Sequence, residues 1–233
     1  MVSSSLNICG NLLYIKCNFQ GMKIAKIMFF SIILACMSLF PQKGSSVDSL
    51  LNSPNISILK RIGIIPISFW QKISYADSSF NCQFFPSCSN YSGLAIAHFG
   101  LISGFVMTAD RIIRCNPFAH GYHIRSSKPL FHIDGRMLNH IPKKILIKSN
   151  SNKSAAFAFG LSSILPGAGR IYAGRTWDGL LSFLTISSLA NLTYRYHIKN
   201  NDTGNLFFGT LTMTFYLGEL FGAYQAAISY NKL

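Results

Sequence analysis

Residues 82–118 open with the run Cys82-Gln83-Phe84-Phe85-Pro86-Ser87-Cys88-Ser89-Asn90-Tyr91 and close with Arg111-Ile112-Ile113-Arg114-Cys115-Asn116-Pro117-Phe118. Two short apolar stretches, separated by Gly100, lie between these runs. If both stretches form helices that fold back on each other at the glycine, the three cysteines come close to the two arginines. The segment therefore predicts a compact helical hairpin with a cysteine-bearing loop.

The two runs and their spacing resemble the core of the membrane protein insertion efficiency factor family, the YidD type. Members of that family typically carry a Gln-x-Ile-Ser segment, then Cys-x-Phe-x-Pro-Ser/Thr-Cys-Ser-x-Tyr, and finally Arg-x-x-Arg-Cys-x-Pro. The corresponding segments here are Gln71–Ser74, Cys82–Tyr91 and Arg111–Pro117. The resemblance covers about residues 64–122. It does not extend to the family's Gly-x-Asp-Pro-Val-Pro tail, because residues 120–125 read His-Gly-Tyr-His-Ile-Arg.

The resemblance implies an accessory factor, not an enzyme, that assists the insertion or folding of integral membrane proteins beside the Sec translocon and its insertase. Its partners would be the translocon, the insertase, nascent membrane proteins and anionic lipid, at the cytoplasmic face of the bacterial inner membrane. We expect partner or lipid contacts from Arg111, Arg114, Phe84, Phe85 and Tyr91. The alternative for the two arginines is to solvate the hairpin and cap its last carbonyl groups. We expect the structural motif to consist of Cys82, Pro86, Cys88, Ser89, Cys115 and Pro117.

Three roles are open for the cysteines of this segment. They could bind zinc together with His98 or His120, because structural zinc sites use four cysteine or histidine ligands. Two of them could form a disulfide in an oxidising compartment. We favour a third role, in which they pack as small buried side chains that tie the loop to the hairpin. This interpretation requires no metal and no cofactor.

Composition places the chain at a membrane. Of its 233 residues, 49% are hydrophobic and only 12% are charged, against about a quarter in an ordinary soluble domain. Lysine and arginine number 21 against 7 acidic residues, so the formal net charge is +14. A chain this basic binds nucleic acid or anionic lipid, and the long apolar segments favour lipid over nucleic acid.

The N-terminal part has the features of a secretory signal or a membrane anchor. Lys23 and Lys26 precede an uncharged run from Ile27 to Phe40, which is shorter than the roughly 20 helical residues that cross a bilayer. We predict a signal or anchor over residues 1–40 and a linker over 41–63. Cleavage of the signal would export the chain. The rival function is then an envelope-side binding or structural membrane protein that reuses the hairpin.

A basic connector is predicted over residues 123–153, after the insertion-factor segment 64–122. Its lysines and arginines are Arg125, Lys128, Arg136, Lys143, Lys144, Lys148 and Lys153, against the single acidic residue Asp134. Short basic loops beside membrane spans stay in the cytoplasm, so this charge favours a cytoplasmic segment held at an anionic lipid surface. A solvated connector is the alternative.

The C-terminal part, residues 154–233, is predicted to be a transmembrane helical domain. An apolar entry leads into a turn with the pattern Gly169-x-x-Tyr172-x-Gly174, and residues 153–194 resemble small two-transmembrane-helix domains. The last apolar stretch, Asn205 to Tyr224, is long enough to cross the bilayer. It contains Glu219, which either faces a partner helix or lies near the lipid headgroups, and we favour the headgroups.

The predicted fold is therefore all-α: a short helical hairpin module with a cysteine-bearing loop, plus C-terminal transmembrane helices. Within the module we expect helices that begin after Pro66, at Ser87 or Ser89, and at about Ile102. No two of the acidic residues share a helix face of the module, and the sequence has no Ser-His-Asp order, His-Glu-x-x-His motif or phosphate-binding loop. We predict no active site.

Overall fold

The computed structural model describes residues 47–74, 82–124, 131–141 and 153–230. The predicted signal or anchor over residues 1–40 lies outside this part of the chain. Residues 125–130 and 142–152 of the predicted connector also lie outside it. The described residues are mostly helical, in agreement with the predicted fold class.

The helices in chain order are α1 (Asp48–Leu51), α2 (Ile58–Ser74), α3 (Cys88–Phe99), α4 (Leu101–Arg114), α5 (Ala119–Ile124), α6 (Ala155–Ile164), α7 (Ala168–Tyr172), α8 (Thr176–Ile198) and α9 (Asp202–Ser229). Two short strands, β1 (Phe84–Phe85) and β2 (Met137–Leu138), pair in parallel, with Phe84 opposite Met137. The all-α prediction does not include this pairing. The ladder brings part of the predicted connector back beside the cysteine-bearing loop.

Helix α2 begins at Ile58 and contains Pro66, so the prediction of a helix that starts after this proline is wrong. A proline inside a helix removes one backbone hydrogen bond and disfavours the turn before it. Here the packing of the helix outweighs that local cost. Ile64 has no exposed area and packs with Val47 and Ile96, while Pro66 lies on the exposed side.

Helices α3 and α4 pack against each other across a turn at Gly100, whose φ is 88°. Ser87 caps α3, since its hydroxyl oxygen accepts a hydrogen bond from the Asn90 N–H at 3.4 Å. Gly104 sets how closely the two helices approach. A Cβ at this position would lie 2.6 Å from Ile96 Cγ1 and 2.7 Å from Ile96 Cα, so any larger residue would push the helices apart.

The C-terminal helices join the module mainly through α9, which packs on α4 as well as on α6 and α8. Small residues make this contact close. A Cβ at Gly218 would lie 2.7 Å from Ala109 Cβ, and a Cβ at Gly222 would lie 2.1 Å from Asp110 Oδ1. Small residues four positions apart let two helices approach closely, as they do inside membranes. We call these four residues the α4–α9 seam.

Among the described residues, α9 alone is both long and apolar enough to cross a membrane. Its 28 residues extend about 42 Å at 1.5 Å per residue, against a hydrocarbon core of about 30 Å. Helix α6 is apolar but too short for a span, and α8 does not meet the same criteria. The prediction of several transmembrane helices is therefore supported for one helix.

Replacing Gly222 by alanine should destabilise the α4–α9 seam. The new Cβ would come within 2.0 Å of Arg170 Nη2 and 2.1 Å of Asp110 Oδ1, and overpacking of this kind costs about 1–3 kcal/mol. The matched control is Gly209→Ala on the same helix, where the nearest atom is 3.7 Å away. This control should be neutral or stabilising by up to about 1 kcal/mol. The free energy of unfolding of each variant can be measured in detergent, with circular dichroism to monitor the loss of helix. Equal stabilities of the two variants would contradict the packing described.

Candidate functional site

Three cysteines converge where β1, α3 and the end of α4 meet. The Cys82 sulfur lies 3.3 Å from the Cys88 sulfur and 3.6 Å from the Cys115 sulfur, and all three lie within 4.8 Å of one another. No disulfide joins these three cysteines in this structure. Their neighbours are the apolar side chains of Phe84, Ala119 and Met137. This geometry suits both packing of the three side chains and binding of a metal ion.

The closeness of the three thiols changes how readily each one ionises. Hydrogen bonding by Cys115, and then by Cys88, lowers the pKa of Cys82. Hydrogen bonding by Cys115 and Cys82 raises the pKa of Cys88. Cys82 is therefore the thiol that ionises first. The backbone N–H of Cys88 donates a hydrogen bond to the Cys82 sulfur at 3.3 Å, which further stabilises a thiolate at Cys82.

Arg111 lies next to the cysteines and has no exposed area. Its guanidinium donates to the carbonyl oxygens of Pro86 and Asn139, the second at 2.5 Å. It also lies over the rings of Tyr91, at 4.2 Å, and Phe84, at 5.0 Å. Burial lowers the pKa of Arg111, and the adjacent Cys88 partly opposes this shift. In the part of the chain that the structure describes, no carboxylate forms an ion pair with Arg111.

Most of the side chains predicted to contact partners or lipid lie inside the protein. Arg111 is 0% exposed, Phe84 1% and Tyr91 3%. These three side chains pack against one another, with Arg111 over the rings of Phe84 and Tyr91. Phe85 and Arg114 keep part of their surface accessible, and partner contact stays a prediction for these two.

The remaining residues of the predicted structural motif lie around the same loop. The Phe85–Pro86 peptide bond is cis, and the Pro86 carbonyl is one of the two that accept a hydrogen bond from Arg111. The Ser89 hydroxyl accepts a hydrogen bond from Gln71 Nε2 at 3.0 Å, which ties the Gln-x-Ile-Ser segment on α2 to the loop. Pro117 is exposed in the turn between α4 and α5. A structural role for these residues remains a prediction.

A second buried group joins the module to the C-terminal helices. Arg170 Nη2 pairs with Asp110 Oδ1 at 2.8 Å, and Arg170 Nε pairs with Glu219 Oε2 at 2.5 Å. Asp110 also pairs with Arg114 Nε at 3.0 Å. Burial raises the pKa of Asp110, but Arg114 and Arg170 lower it by more, so this pKa stays below its ordinary value. We call Asp110, Arg114, Arg170 and Glu219 the charge cluster.

Glu219 is fully buried, so the favoured position near the lipid headgroups is wrong. The alternative, a carboxylate that faces partner helices, is the arrangement observed. Besides Arg170, it accepts hydrogen bonds from the hydroxyls of Ser162, at 2.9 Å, and Ser182, and from the Gly167 N–H at 3.0 Å. A carboxylate inside an apolar helix costs a few kcal/mol unless it is paired. Here Glu219 has both an ion pair and hydrogen bonds within the protein.

Sequence analysis missed Asp110, Arg170 and Asn116 as linking residues. Asn116 Nδ2 donates to Asp178 Oδ1 at 2.6 Å, which ties the end of α4 to the start of α8. One signal could have revealed the charge cluster. Glu219 lies beside Gly218 in an apolar helix, and Arg170 is the only basic residue of 154–174, so the two charges are natural partners.

Helix α2 turns its polar side inward and its apolar side outward. Ser68, Gln71 and Ser74 are buried. The large apolar side chains that are exposed, here called the outer face of α2, are Ile58, Leu59, Ile62, Ile65, Phe69, Trp70 and Ile73. A surface helix of a soluble protein has the opposite arrangement, with its apolar stripe toward the core. A continuous apolar face of this kind marks contact with lipid or with another protein.

Comparison with known proteins matches the module and not the C-terminal helices. The sequence model of the YidD family, described as “Putative membrane protein insertion efficiency factor”, matches residues 59–124. A relative of that description from Aquifex aeolicus (strain VF5) is 35% identical over 63 residues, which are 27% of this chain and 93% of the relative. Another, from Rickettsia massiliae (strain Mtu5), is 38% identical over 78 residues, 31% of this chain and 95% of the relative. No solved structure matches.

The matched residues run from α2 to α5 and include the three clustered cysteines, Arg111 and Arg114. The match spans more than nine-tenths of the length of each of these two relatives, so it includes almost their whole sequence. Helices α6–α9 of this chain lie beyond the matched residues. The chain therefore belongs to the YidD family, with α2 to α5 as its family module.

Proposed function

We propose that this chain is an accessory factor that assists the insertion of integral membrane proteins, acting without catalysis beside the Sec translocon and insertase of the bacterial inner membrane. The names of its relatives support the insertion role. The observation that carries the proposal is the outer face of α2. A helix with its apolar side outward needs lipid or another apolar surface to cover it, as expected of a factor that works at the bilayer.

The outer face of α2 lies in the lipid interface. A helix with a large apolar face and nearby basic residues rests in the membrane plane, its apolar side about 5–10 Å into the boundary between headgroups and acyl chains. Lys72 is the exposed basic residue among the apolar ones. The net charge of +14 adds attraction to anionic lipid.

Helix α9 crosses the bilayer and anchors the module. The apolar side chains of Leu206, Phe207 and Met213 are more than half exposed, as expected for residues that face lipid. The charge cluster and the α4–α9 seam join this anchor to α4, so the module is held at a fixed place beside the membrane. Because the charges of the cluster pair with one another, the free-energy cost of inserting α9 is lower than it would be with an unpaired carboxylate.

The module works on the cytoplasmic side of the membrane. The basic connector supports this side, because seven lysines and arginines stand against the single acidic residue Asp134 in residues 123–153. Short basic segments beside a membrane span favour the cytoplasmic side. This observation supports the cytoplasmic factor over its rival, the exported structural protein.

Trp70 on the outer face of α2 should report contact with lipid directly. In the Trp177→Phe variant, Trp70 is the only tryptophan of the chain. In liposomes that contain brominated phospholipid, its fluorescence should be strongly quenched, because half of its surface is exposed on the apolar side. Soluble iodide should quench it weakly. Quenching by iodide with no effect of brominated lipid would place this face in water and overturn the lipid contact.

Ile62→Glu should impair insertion of membrane proteins in living cells. A charge on the outer face disfavours lipid contact by a few kcal/mol, which corresponds to a tenfold or greater loss of binding at about 1.4 kcal/mol per tenfold. Pulse labelling of an insertase-dependent membrane protein, followed by protease protection, should show insertion slowed to the rate of a deletion strain. The matched control is Ile133→Glu, the same change at a fully exposed position outside α2, which should restore the normal rate. Insertion at the normal rate in the deletion strain itself would contradict the proposed function.

A cysteine introduced at Ile133 should distinguish the two sides of the membrane. The side chain at this position is fully exposed, so a maleimide reagent can reach it. We expect a membrane-impermeant maleimide to label Ile133→Cys only after the inner membrane is permeabilised, with the labelled peptide identified by mass spectrometry. Labelling in intact spheroplasts would favour the exported protein instead.

A further inference from the structure

The three sulfur atoms of Cys82, Cys88 and Cys115 have the spacing of ligands around one metal ion. With metal–sulfur bonds of about 2.3 Å in a tetrahedral site, two thiolates on the same ion lie about 3.8 Å apart. The observed separations are 3.3 Å and 3.6 Å, with all three atoms within 4.8 Å of one another. The group is thus close to the size of a mononuclear site.

The charge of Arg111 provides an independent reason to expect an anion at this place. Arg111 is completely buried and forms no ion pair within the described ranges, although it lies against the cysteines. Buried charges are normally paired, because an isolated one costs several kcal/mol. Three neutral thiols leave this cation uncompensated. Three thiolates on a divalent ion carry a net charge of −1, which would balance the guanidinium.

The surroundings also suit a bound ion. An open pocket beside Cys82 is lined by Gln83, His120, Asp134 and Arg136, so water can reach the cluster from that side. Gln83 Oε1 is buried and has no hydrogen-bond partner among the described residues. The backbone N–H of Cys88, which donates to the Cys82 sulfur, is a typical support for a metal-bound thiolate.

We propose that Cys82, Cys88 and Cys115 bind a single thiophilic metal ion of the zinc type, with the pocket side supplying the fourth ligand. Binding releases the protons of the thiols to solvent, forms three metal–sulfur bonds and changes no oxidation state. The ion joins the loop before α3 to the end of α4, so its role is structural. Of the two histidines considered from the sequence, neither belongs to the three-sulfur group, but His120 lines the pocket on the side of the fourth ligand. This inference stands independently of the proposed function.

The test is the metal content of the full chain, purified in detergent with reductant and without chelator. Elemental analysis should find about one zinc per chain, and Cys88→Ser and Cys115→Ser should each lose most of it. Cys36→Ser is the matched control, because it removes a cysteine outside the described residues, and it should keep the metal. Circular dichroism of each variant shows whether helices are retained.

A second measurement uses the unmodified chain and so does not depend on whether a variant folds. Replacement of zinc by Co²⁺ should give the near-ultraviolet absorption of sulfur-to-cobalt charge transfer. The three thiols should resist alkylation until a chelator is added. A purified chain that contains no metal, takes up neither Zn²⁺ nor Co²⁺, and has all three thiols freely alkylated would overturn the proposal. Because these readouts need no insertion assay, their failure is distinct from failure of the proposed function.

Discussion

The pairing of Arg170 with both Asp110 and Glu219 joins the family module to the C-terminal helices. All three groups are removed from water, and a buried charge without a partner costs several kcal/mol. Helices α4 and α9 must therefore come close enough for the ion pairs to form. Gly218 and Gly222 leave the room for that approach. With Arg114 included, the cluster has two positive and two negative formal charges, so it is neutral as a whole only when every member is in place.

The family module has an unusual distribution of polarity along α2. Gln71 donates to Ser89 Oγ and to Asn90 Oδ1, and it accepts from the Val47 N–H, so its amide connects three segments inside the module. Hydrogen bonds of this kind hold the inner side of the helix without a large apolar core. The apolar side chains of α2 are thereby left on the surface. These exposed apolar side chains are the surface on which the proposed contact with lipid depends.

Local signals explain what could be predicted from the sequence. The cap at Ser87, the turn at Gly100 and the spacing of the family motif are short-range features, and α3 and α4 follow from them. The start of α2 could not be predicted from the tendency of proline to end helices, because the packing of buried Ile64 stabilises the helix before Pro66. The partner of Glu219 lies 49 residues away at Arg170, and periodicity does not tell which helices meet. Burial of Arg111 depends on rings and carbonyls that gather only once the loop has folded.

The α4–α9 seam also determines what else can occupy that side of the module. In the Aquifex relative the matched residues make up 93% of the sequence, which leaves no room for helices equivalent to α6–α9. In this protein the covering helix is tethered to the surface it covers, so its effective concentration is set by the chain and does not fall on dilution. A helix from another molecule would have to compete with a resident one. The side of α4 at the seam is thus covered by a helix of the same chain.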